Sequence, residues 1–281
     1  MTTGTATEAA AKGPLPRRFS LVATDLDGTL LRSDHTVGAR TRAALALVAA
    51  RGAKHVVVTG RSVSWTRHVL ADLGCTGLAV CGQGGQVYDA AAHTQLTSVI
   101  LDRERARLAL ARIEAVTGPL VTAGDRDGVD GEVVAAPGYR LDLAGQVPIV
   151  LNARPDALWA APLRKIYVQH PVLDEDALAL IATRAAGHLV GVAKAGPGEI
   201  ELLPLGLDKA TGLAYVARRL GLTGADTVAF GDMPNDLPML DWAAHGVAMA
   251  GAHPELRAAA DEMAPGNDED GVAVVLERLF A

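Results

Sequence analysis

Cysteine is scarce in this chain: Cys75 and Cys81 are the only two among 281 residues. Two cysteines in a chain of this length are too few for the disulfide framework of a small secreted domain. No group of histidines and cysteines has the spacing of a structural zinc site either. Both cysteines lie beside apolar residues, so we expect small buried thiols without a catalytic role.

The chain also lacks a basic excess and a long apolar run. Its formal net charge is −6 at pH 7, which argues against a broad surface for nucleic acid. No apolar run reaches the roughly 18 residues that would span a bilayer, so we expect no membrane segment. Residues 1–18 lack the apolar centre of a secretory signal and are predicted to form a disordered tail. These absences favour a cytoplasmic protein.

Apolar strands alternate with helices in the first and last parts of the chain. The predicted strands are LVAT (21–24), HVVVTG (55–60), GLAVCG (77–82), TVAFGD (227–232) and GVAMAG (246–251), and the predicted helices are 41–52, 65–74, 209–221, 237–244 and 254–262. Strands without polar alternation, separated by helices of about 10–15 residues, indicate βαβ units in a parallel sheet covered on both faces. The pattern predicts a Rossmann-like doubly wound sheet.

The middle of the chain has a different pattern. Two helices are predicted at 101–118 and 174–187, and the segments that follow them are shorter and alternate between apolar and polar residues. Two groups of one helix and two strands indicate an inserted α+β domain with an antiparallel sheet. The predicted fold class is therefore α/β, a Rossmann-like core with an α+β insert. The predicted limits are 19–85 and 197–281 for the core and 86–196 for the insert, with Gly- and Pro-containing hinges at 83–86 and 195–198.

Carboxylates follow the predicted core strands where those strands end. Asp25 and Asp27 follow LVAT, and Asp232 follows TVAF with Asp236 four residues later. Ligands of doubly wound sheets bind beyond the carboxyl ends of the strands. If these strands are neighbours, the four carboxylates meet in one crevice and repel one another unless a hard divalent cation is bound. Oxygen ligands of this kind suit Mg²⁺.

Cationic and hydroxyl groups accompany these carboxylates. Lys209 opens a helix, where backbone N–H groups and the helix dipole favour an anion. Thr59 ends a strand before Gly60 and Arg61, and it offers a hydroxyl and nearby amides. Magnesium, a lysine and a hydroxyl around a carboxylate are the groups that phosphoryl transfer uses. One carboxylate can act as the nucleophile, and a second can protonate the leaving oxygen.

Six motifs occur in order along nearly the whole chain from about residue 19. They are DLDGTLL (25–31), VVTGR (57–61), LDKATGLAYVARRLGL (207–222), GDMPNDLPML (231–240), GVAMAGAHPELRAAAD (246–261) and NDEDGVA (267–273). With these motifs the chain resembles the haloacid dehalogenase-like hydrolases, in the Cof-type phosphatase branch with a type IIB cap. DxDGT alone is moderately specific, whereas DxDGT, TGR, a lysine and GDxxND in this order are highly specific. The resemblance implies that the insert is the cap.

The resemblance also implies a role for each matching catalytic residue. Asp25 would be the nucleophile that attacks phosphorus and would also bind Mg²⁺. Asp27 would be the general acid and base, and its backbone carbonyl would bind the metal. Thr59 and Lys209 would bind the substrate phosphate, and Lys209 would also restrain the charge of the nucleophile. The two residues after Thr59 are assigned to the same phosphate site: Gly60 and Arg61.

Further matches imply the metal ligands and the loop around them. Asp232 would be a metal ligand, and Asn235 and Asp236 would support the metal shell through water or hydrogen bonds. Gly28 and Thr29 would shape the loop after the nucleophile.

The chain departs from the family pattern at three places outside the core chemistry. Gln83, Gly84 and Gly85 stand where the family commonly has Asn-Gly-Ala, and the longer glutamine could shift a contact at the hinge between core and cap. Ala210 replaces the glycine that usually follows the motif lysine. Gly251 occupies a position where asparagine is usual, in a loop that lies near the active site in the family.

These patterns predict a Mg²⁺-dependent phosphatase that hydrolyses a small phosphorylated metabolite, either a sugar phosphate or a nucleotide-like cofactor. The alternatives are a phosphomutase of the phosphomannomutase type and a non-catalytic protein that binds phosphorylated metabolites. We expect no nucleic acid or membrane partner and a monomer or small homo-oligomer. Polar residues of the insert could contact the leaving group: Arg140, Arg164, His170 and Lys194. The three tryptophans are expected to be packing residues.

Overall fold

The structure of the chain, a computed structural model, describes residues 19–140, 149–151, 154 and 156–281. The tail predicted at 1–18 therefore lies outside the described residues. The strands are β1 (Leu21–Thr24), β2 (Lys54–Val57), β3 (Leu78–Cys81), β4 (Gln86–Asp89), β5 (Thr94–Ser98), β6 (Val121–Arg126), β7 (Val133–Ala135), β8 (Ile149–Leu151), β9 (Leu163–Gln169), β10 (Gly191–Gly196), β11 (Glu199–Leu203), β12 (Thr227–Gly231), β13 (His245–Met249) and β14 (Glu262–Ala264). The helices are α1 (Ala39–Ala50), α2 (Val63–Asp72), α3 (Arg103–Thr117), α4 (Glu175–Ala186), α5 (Lys209–Arg219), α6 (Leu237–Trp242), α7 (Pro254–Ala259) and α8 (Gly271–Phe280).

A parallel sheet with the order β14-β13-β12-β1-β2 forms the first layer of the fold. The central strands β1 and β12 are buried along their whole length, which agrees with their continuous apolar sequence. Successive residues of one strand enter different cores: Val22 packs with α1 and α8, whereas Leu21 and Ala23 pack with α5 and α6. Helices therefore cover both faces, and the α/β doubly wound arrangement predicted from the sequence is confirmed.

The predicted core helices are present, with ends that shift by no more than three residues. α8 was not predicted, although its packing against α1 closes one face of the sheet. Every helix in the part of the chain that the structure describes is too short or too polar to cross a lipid bilayer.

A second sheet with the order β10-β11-β9-β6-β7-β8 carries α3 and α4 on one face. Its neighbouring strands are antiparallel except for β7 and β8. Both helices begin at an aspartate whose side chain accepts a backbone N–H three residues on, Asp102 for α3 and Asp174 for α4. This α+β arrangement is the one predicted for the insert.

The chain moves from one sheet to another at residues that differ from the predicted domain limits. β4 and β5 pair with β3 rather than with the second sheet, and β3 contacts the core sheet through a bridge between Val58 and Val80. β11 pairs with β9 and β10 although the insert was predicted to end at residue 196. The predicted limits stay predictions, and we propose residues 99–204 as the cap, because all strands of the sheet β10-β11-β9-β6-β7-β8 and the helices α3 and α4 lie within these limits.

The two thiols lie in the core, as expected, but to different degrees. Cys81 is fully buried and Cys75 is half-buried, and they form no disulfide. Burial raises the pKa of Cys81 to about 12, so this thiol stays protonated and unreactive at neutral pH.

Candidate active site

Three neighbouring strands bring the predicted site residues to one edge of the parallel sheet. β12, β1 and β2 lie side by side, with Asp25 directly after β1 and Asp232 directly after β12. The backbone N–H of Asp25 donates to the Phe230 carbonyl at 3.0 Å, which extends the strand pairing up to the carboxylate. Thr59 lies two residues beyond β2. The carboxyl ends of the strands therefore form the crevice expected from the sequence.

Lys209 forms a buried double ion pair in this crevice. Its Nζ donates to Asp25 Oδ1 at 2.7 Å and to Asp236 Oδ1 at 2.6 Å, and its side chain is 1% exposed. Asp208 starts α5 by accepting the Thr211 N–H, which places Lys209 in the first helical position. Burial lowers the pKa of Lys209, but the two carboxylates outweigh burial and raise it above its usual range. The lysine therefore keeps its charge beside Asp25.

Two carboxyl groups of the crevice, those of Asp25 and Asp232, have raised pKa values. Burial raises the pKa of Asp25 well above its usual range, Lys209 opposes that effect, and the neighbouring carboxylates add to it. Burial and then Asp236 raise the pKa of Asp232 to about 7. Both shifts have the same cause, burial and crowding of negative charge, so a further positive charge beside these oxygens would favour their ionised forms. The donor set therefore fits a cation.

Asp25, Asp232 and Asp236 form an acidic cluster in which one carboxylate oxygen of each residue lies within 4.8 Å of those of the other two. Asp236 is already engaged, because its Oδ2 accepts the backbone N–H groups of Asp232 and Met233, both at 3.0 Å, and its Oδ1 accepts from Lys209. It therefore shapes the loop after β12. Asp25 and Asp232 remain as the carboxylates best placed to hold a metal.

Gly28 and Thr29 bring the loop after β1 against Asp232. The Thr29 hydroxyl donates to Asp232 Oδ1 at 2.9 Å. Gly28 has a left-handed backbone with φ of 72°, and a Cβ at this position would lie 2.3 Å from Asp232 Oδ2. Only glycine fits both the backbone conformation and the space. The absence of a side chain at this position lets the Asp232 carboxylate lie against the loop after β1.

Asp27 and Arg61 form a bidentate ion pair in this structure. Arg61 Nε donates to Asp27 Oδ2 at 2.7 Å, and a second guanidinium N–H donates to Oδ1. The Arg61 side chain is buried, whereas the Asp27 side chain is half exposed. The Arg61 backbone N–H donates to the Thr59 hydroxyl at 3.1 Å, so the Thr59 O–H is left to act as a donor. Arg61 thus orients the carboxyl that was predicted to be the acid and base.

A cavity of about 310 Å³ lies between the core loops and the second sheet. Asp25, Asp27, Thr59 and Lys209 line one side. The second sheet and the residues next to it contribute the other side, which includes Tyr139, Arg140, Lys165, Tyr167, Gln169, Glu199 and Glu201. The volume suits a small ligand. A substrate whose reacting group meets Asp25 would extend toward the cap.

A buried network that was not predicted from the sequence joins the second sheet to the loops of the acidic crevice. Lys165 Nζ forms an ion pair with Glu201 and also donates to the Gly60 carbonyl at 2.7 Å. Gln83 Nε2 donates to Glu201 at 2.7 Å, and Gln83 Oε1 accepts from Asn235 Nδ2 at 3.2 Å. In the sequence, the residue of this network that stands out is Gln83, which departs from the family pattern. Its side chain connects the loop after β12 to β11.

Replacing Gln83 with leucine is expected to lower the free energy of unfolding by about 2 kcal/mol, because buried Glu201 loses a donor. Asparagine is one methylene shorter and should keep one of the two contacts, at a cost of about 1 kcal/mol. Urea denaturation measures both values. In a double-mutant cycle with Glu201→Gln, we expect a coupling of about 1–2 kcal/mol. Additive effects would show that the two side chains do not act together.

The four predicted leaving-group contacts of the insert have different environments. Arg140 lines the cavity. Arg164 is buried in an ion pair with Asp125, and Lys194 pairs with Asp176 and Glu255. His170 accepts backbone N–H groups through Nδ1 and contacts the Thr117 carbonyl through Nε2. Of these four residues, only Arg140 is positioned to contact a ligand in the described cavity.

The parallel sheet, the second α+β layer and the acidic crevice define a capped α/β enzyme. A sequence model of the haloacid dehalogenase-like hydrolases matches residues 22–276, so the chain belongs to that family. It is similar to the HMP-PP phosphatase of Serratia proteamaculans, with 30% identity over 252 residues that cover 85% of this chain and 86% of the relative.

Solved structures share the same fold. A haloacid dehalogenase-like hydrolase from Bacteroides thetaiotaomicron superimposes with a TM-score of 0.75 at 25% identity and covers 93% of this chain and 100% of its own. A sugar phosphatase described as HAD subclass IIB superimposes with a TM-score of 0.76 at 19% identity, over 92% of this chain and 98% of its own. The fold of this chain, a parallel-sheet core with a second α+β layer, is therefore the fold of these structures.

Proposed function

We propose that this hydrolase releases phosphate from small phosphorylated metabolites, such as sugar phosphates or nucleotide-like cofactors, through an aspartyl-phosphate on Asp25. The observation that supports this most is the contact of Lys209 with Asp25 at 2.7 Å in a buried acidic crevice that opens into a cavity. A phosphatase and a sugar phosphatase among the similar proteins support the same chemistry.

In the first half of the proposed reaction, a carboxylate oxygen of Asp25 attacks phosphorus in line with the leaving oxygen. A P–O bond forms to Asp25, and the P–O bond to the leaving group breaks. Asp27 exchanges its contact with Arg61 for one with the substrate, takes up a proton from solvent as it leaves the ion pair, and gives that proton to the departing oxygen. Lys209 and the Thr59 hydroxyl hold the phosphate oxygens during the transfer.

In the second half, Asp27 takes a proton from a water molecule as that water attacks phosphorus. The P–O bond to Asp25 breaks, inorganic phosphate forms and the Asp25 carboxylate is restored. Lys209 remains paired with Asp25 and Asp236 and keeps the nucleophile in position. Cap residues exclude bulk water from the cavity.

Asp25, Asp232 and the backbone carbonyl of Asp27 would hold Mg²⁺, with Asn235 and Asp236 as the residues that support them. When bound, the ion supplies positive charge beside the phosphate and the acidic cluster. The raised pKa values of Asp25 and Asp232 and the space that Gly28 leaves support this assignment.

Removing divalent cations with EDTA is expected to reduce phosphate release at least about 100-fold, because the clustered carboxylates then repel both one another and the substrate. Added Mg²⁺ should restore the rate, and a phosphate-release assay measures both states. Thermal unfolding recorded in parallel checks that the protein stays folded. Undiminished turnover in EDTA would contradict the magnesium assignment.

A panel of phosphorylated metabolites, assayed for released phosphate, tests the proposed function. Isomerised sugar phosphate without released phosphate would instead support the phosphomutase alternative. Binding of phosphorylated compounds without any turnover would support a non-catalytic binding protein. The cytoplasmic location, the monomer or small homo-oligomer and the absence of a nucleic-acid partner stay predictions.

A further inference from the structure

The motif NDEDGVA at 267–273 is not used by the proposed function. It follows β14 and leads into α8. Its first four residues, 267–270, form a loop that we call the anchoring loop, and three of their side chains contact residues 31–33 of the segment after β1. The described lining of the active-site cavity includes neither the anchoring loop nor residues 31–33. Any role of this loop in the reaction is therefore indirect.

Two contacts fix the backbone of residues 31–33 to the anchoring loop. Asn267 Nδ2 donates to the Leu31 carbonyl at 2.8 Å. The backbone N–H of Ser33 donates to Asp268 Oδ1 at 2.8 Å, and the Ser33 hydroxyl donates to Oδ2 at 2.6 Å. Main-chain groups on both sides of residue 32 are thus held from the C-terminal end of the protein.

The third contact is the ion pair of Asp270 with Arg32. Arg32 Nη2 donates to both carboxylate oxygens at 2.8 Å, and the Thr41 hydroxyl of α1 donates to Oδ1 at 3.1 Å. The contact with Arg32 lowers the pKa of Asp270 below its usual range, so this carboxylate is charged at neutral pH. Asp270 has a left-handed backbone with φ of 54°, which is uncommon outside glycine. A Cβ at Gly38 would lie 2.2 Å from Asp270 Oδ1, so glycine leaves the space for this carboxylate.

Residues 31–33 directly follow the turn that carries Asp27. This turn, Leu26–Leu30, is closed by a hydrogen bond from the Leu31 N–H to the Leu26 carbonyl at 2.8 Å. Its two leucines are buried in the core, whereas the Asp27 side chain is half exposed. β1 therefore fixes the chain before the turn, and the anchoring loop fixes the chain after it.

The backbone of this turn determines where the Asp27 carboxyl can reach. Among the residues that the structure describes, its hydrogen bonds are those with Arg61. In the proposed reaction the carboxyl leaves Arg61 and protonates the leaving oxygen. Once that ion pair is broken, the position of the carboxyl depends on the turn itself. A misplacement of about 1 Å can cost on the order of 100-fold in rate.

We propose that the anchoring loop positions Asp27 for proton transfer to the leaving oxygen. Asn267 and Asp270 are then positioning residues, which act through Leu31 and Arg32 on the turn. The inference rests on the phosphatase function proposed above and adds to it residues that lie outside the cavity.

Loss of the anchoring contacts should impair proton donation more than nucleophilic attack. Asp25 is held independently of the anchoring loop, because its backbone N–H pairs with the Phe230 carbonyl and its carboxylate contacts Lys209. The turn begins only after Asp25. A shift of the turn therefore moves the acid while it leaves the nucleophile in place.

Two phosphate esters with different leaving oxygens separate these effects. 4-Nitrophenolate departs without a proton, whereas the alkoxide of benzyl phosphate needs one. For Arg32→Met we expect kcat/KM to fall at least about tenfold with benzyl phosphate and less than about threefold with 4-nitrophenyl phosphate. Because kcat/KM covers the steps up to departure of the leaving group, the later attack of water does not enter. Arg32→Lys, which can still donate to Asp270, should recover most of the loss.

A second variant and two references complete the comparison. Asn267→Ala removes a contact that does not involve the ion pair and should give the same selective loss. Asp27→Asn should give a larger one. Arg40→Met is the matched control, since Arg40 pairs with Glu277 of α8 at 2.6 Å but lies outside the anchoring loop and residues 31–33. It should leave both rates unchanged, and thermal unfolding checks that each variant is folded.

Equal losses with the two esters, or no loss, in Arg32→Met and Asn267→Ala would overturn the inference and leave the phosphatase function standing. A selective loss in Arg40→Met would also overturn it, because any weakening of the contacts of α8 would then have the same effect. If Asp27→Asn shows no selective loss, the acid role of Asp27 in the proposed function fails, and the inference fails with it.

Discussion

Replacing Asp25 with asparagine is expected to lower phosphate release at least about 10⁴-fold, since losses of this size follow removal of a catalytic nucleophile. The amide oxygen is a poor nucleophile and cannot form the aspartyl-phosphate. Protein stability should change little or rise, because the amide has the same shape and removes one charge from a buried acidic cluster. Lys209 keeps its contact with Asp236.

Asp241→Asn is the matched control, since it makes the same substitution at an exposed residue of α6. It should retain full activity. For Asp25→Asn, thermal unfolding should show an intact protein, and calorimetric titration with inorganic phosphate and Mg²⁺ should still show binding. Turnover comparable to that of the unchanged enzyme would refute Asp25 as the nucleophile.

The acidic crevice could be predicted from the sequence because each of its residues lies close to the end of one element. Strands that are buried on both faces read as unbroken apolar runs, and the polar residue after each run marks the carboxyl end. Asp25, Thr59 and Asp232 were located in this way, and the order of the strands then determined that they meet. The local sequence pattern was sufficient because neighbouring parallel strands place their carboxyl ends at the same edge of the sheet.

The cap side of the cavity could not be predicted, because its contacts depend on strand register. Lys165 on β9 and Glu201 on β11 are separated by 36 residues, and they meet only because Glu201 is paired opposite Tyr167. A shift by one residue would turn either side chain to the other face of the sheet. Gln83 was recognised as unusual, but its two partners come from distant segments.

Replacing Lys209 with methionine is expected to lower the free energy of unfolding by about 3–5 kcal/mol, as for other buried ion pairs that lose one partner. Methionine fills a similar volume but leaves Asp25 and Asp236 without the cation between them. Urea denaturation in EDTA measures the loss without compensation by a metal. Lys54→Met, at an exposed lysine of β2, should change stability by no more than about 0.5 kcal/mol.

The charge on Asp236 separates this electrostatic cause from a loss of packing. If repulsion between unpaired carboxylates produces the instability, Asp236→Asn in the Lys209→Met background should restore about half of the lost stability, because one of the two uncompensated charges is removed. If lost packing around Lys209 were the cause, the second substitution would add its own cost, since Asp236 also accepts two backbone N–H groups. Phosphate release should stay at least about 10³-fold reduced in the double variant, because neither substitution restores the lysine ammonium beside the substrate phosphate. Recovered stability without recovered activity would therefore assign two separate tasks to Lys209: balancing the buried acids and neutralising the transferred phosphate.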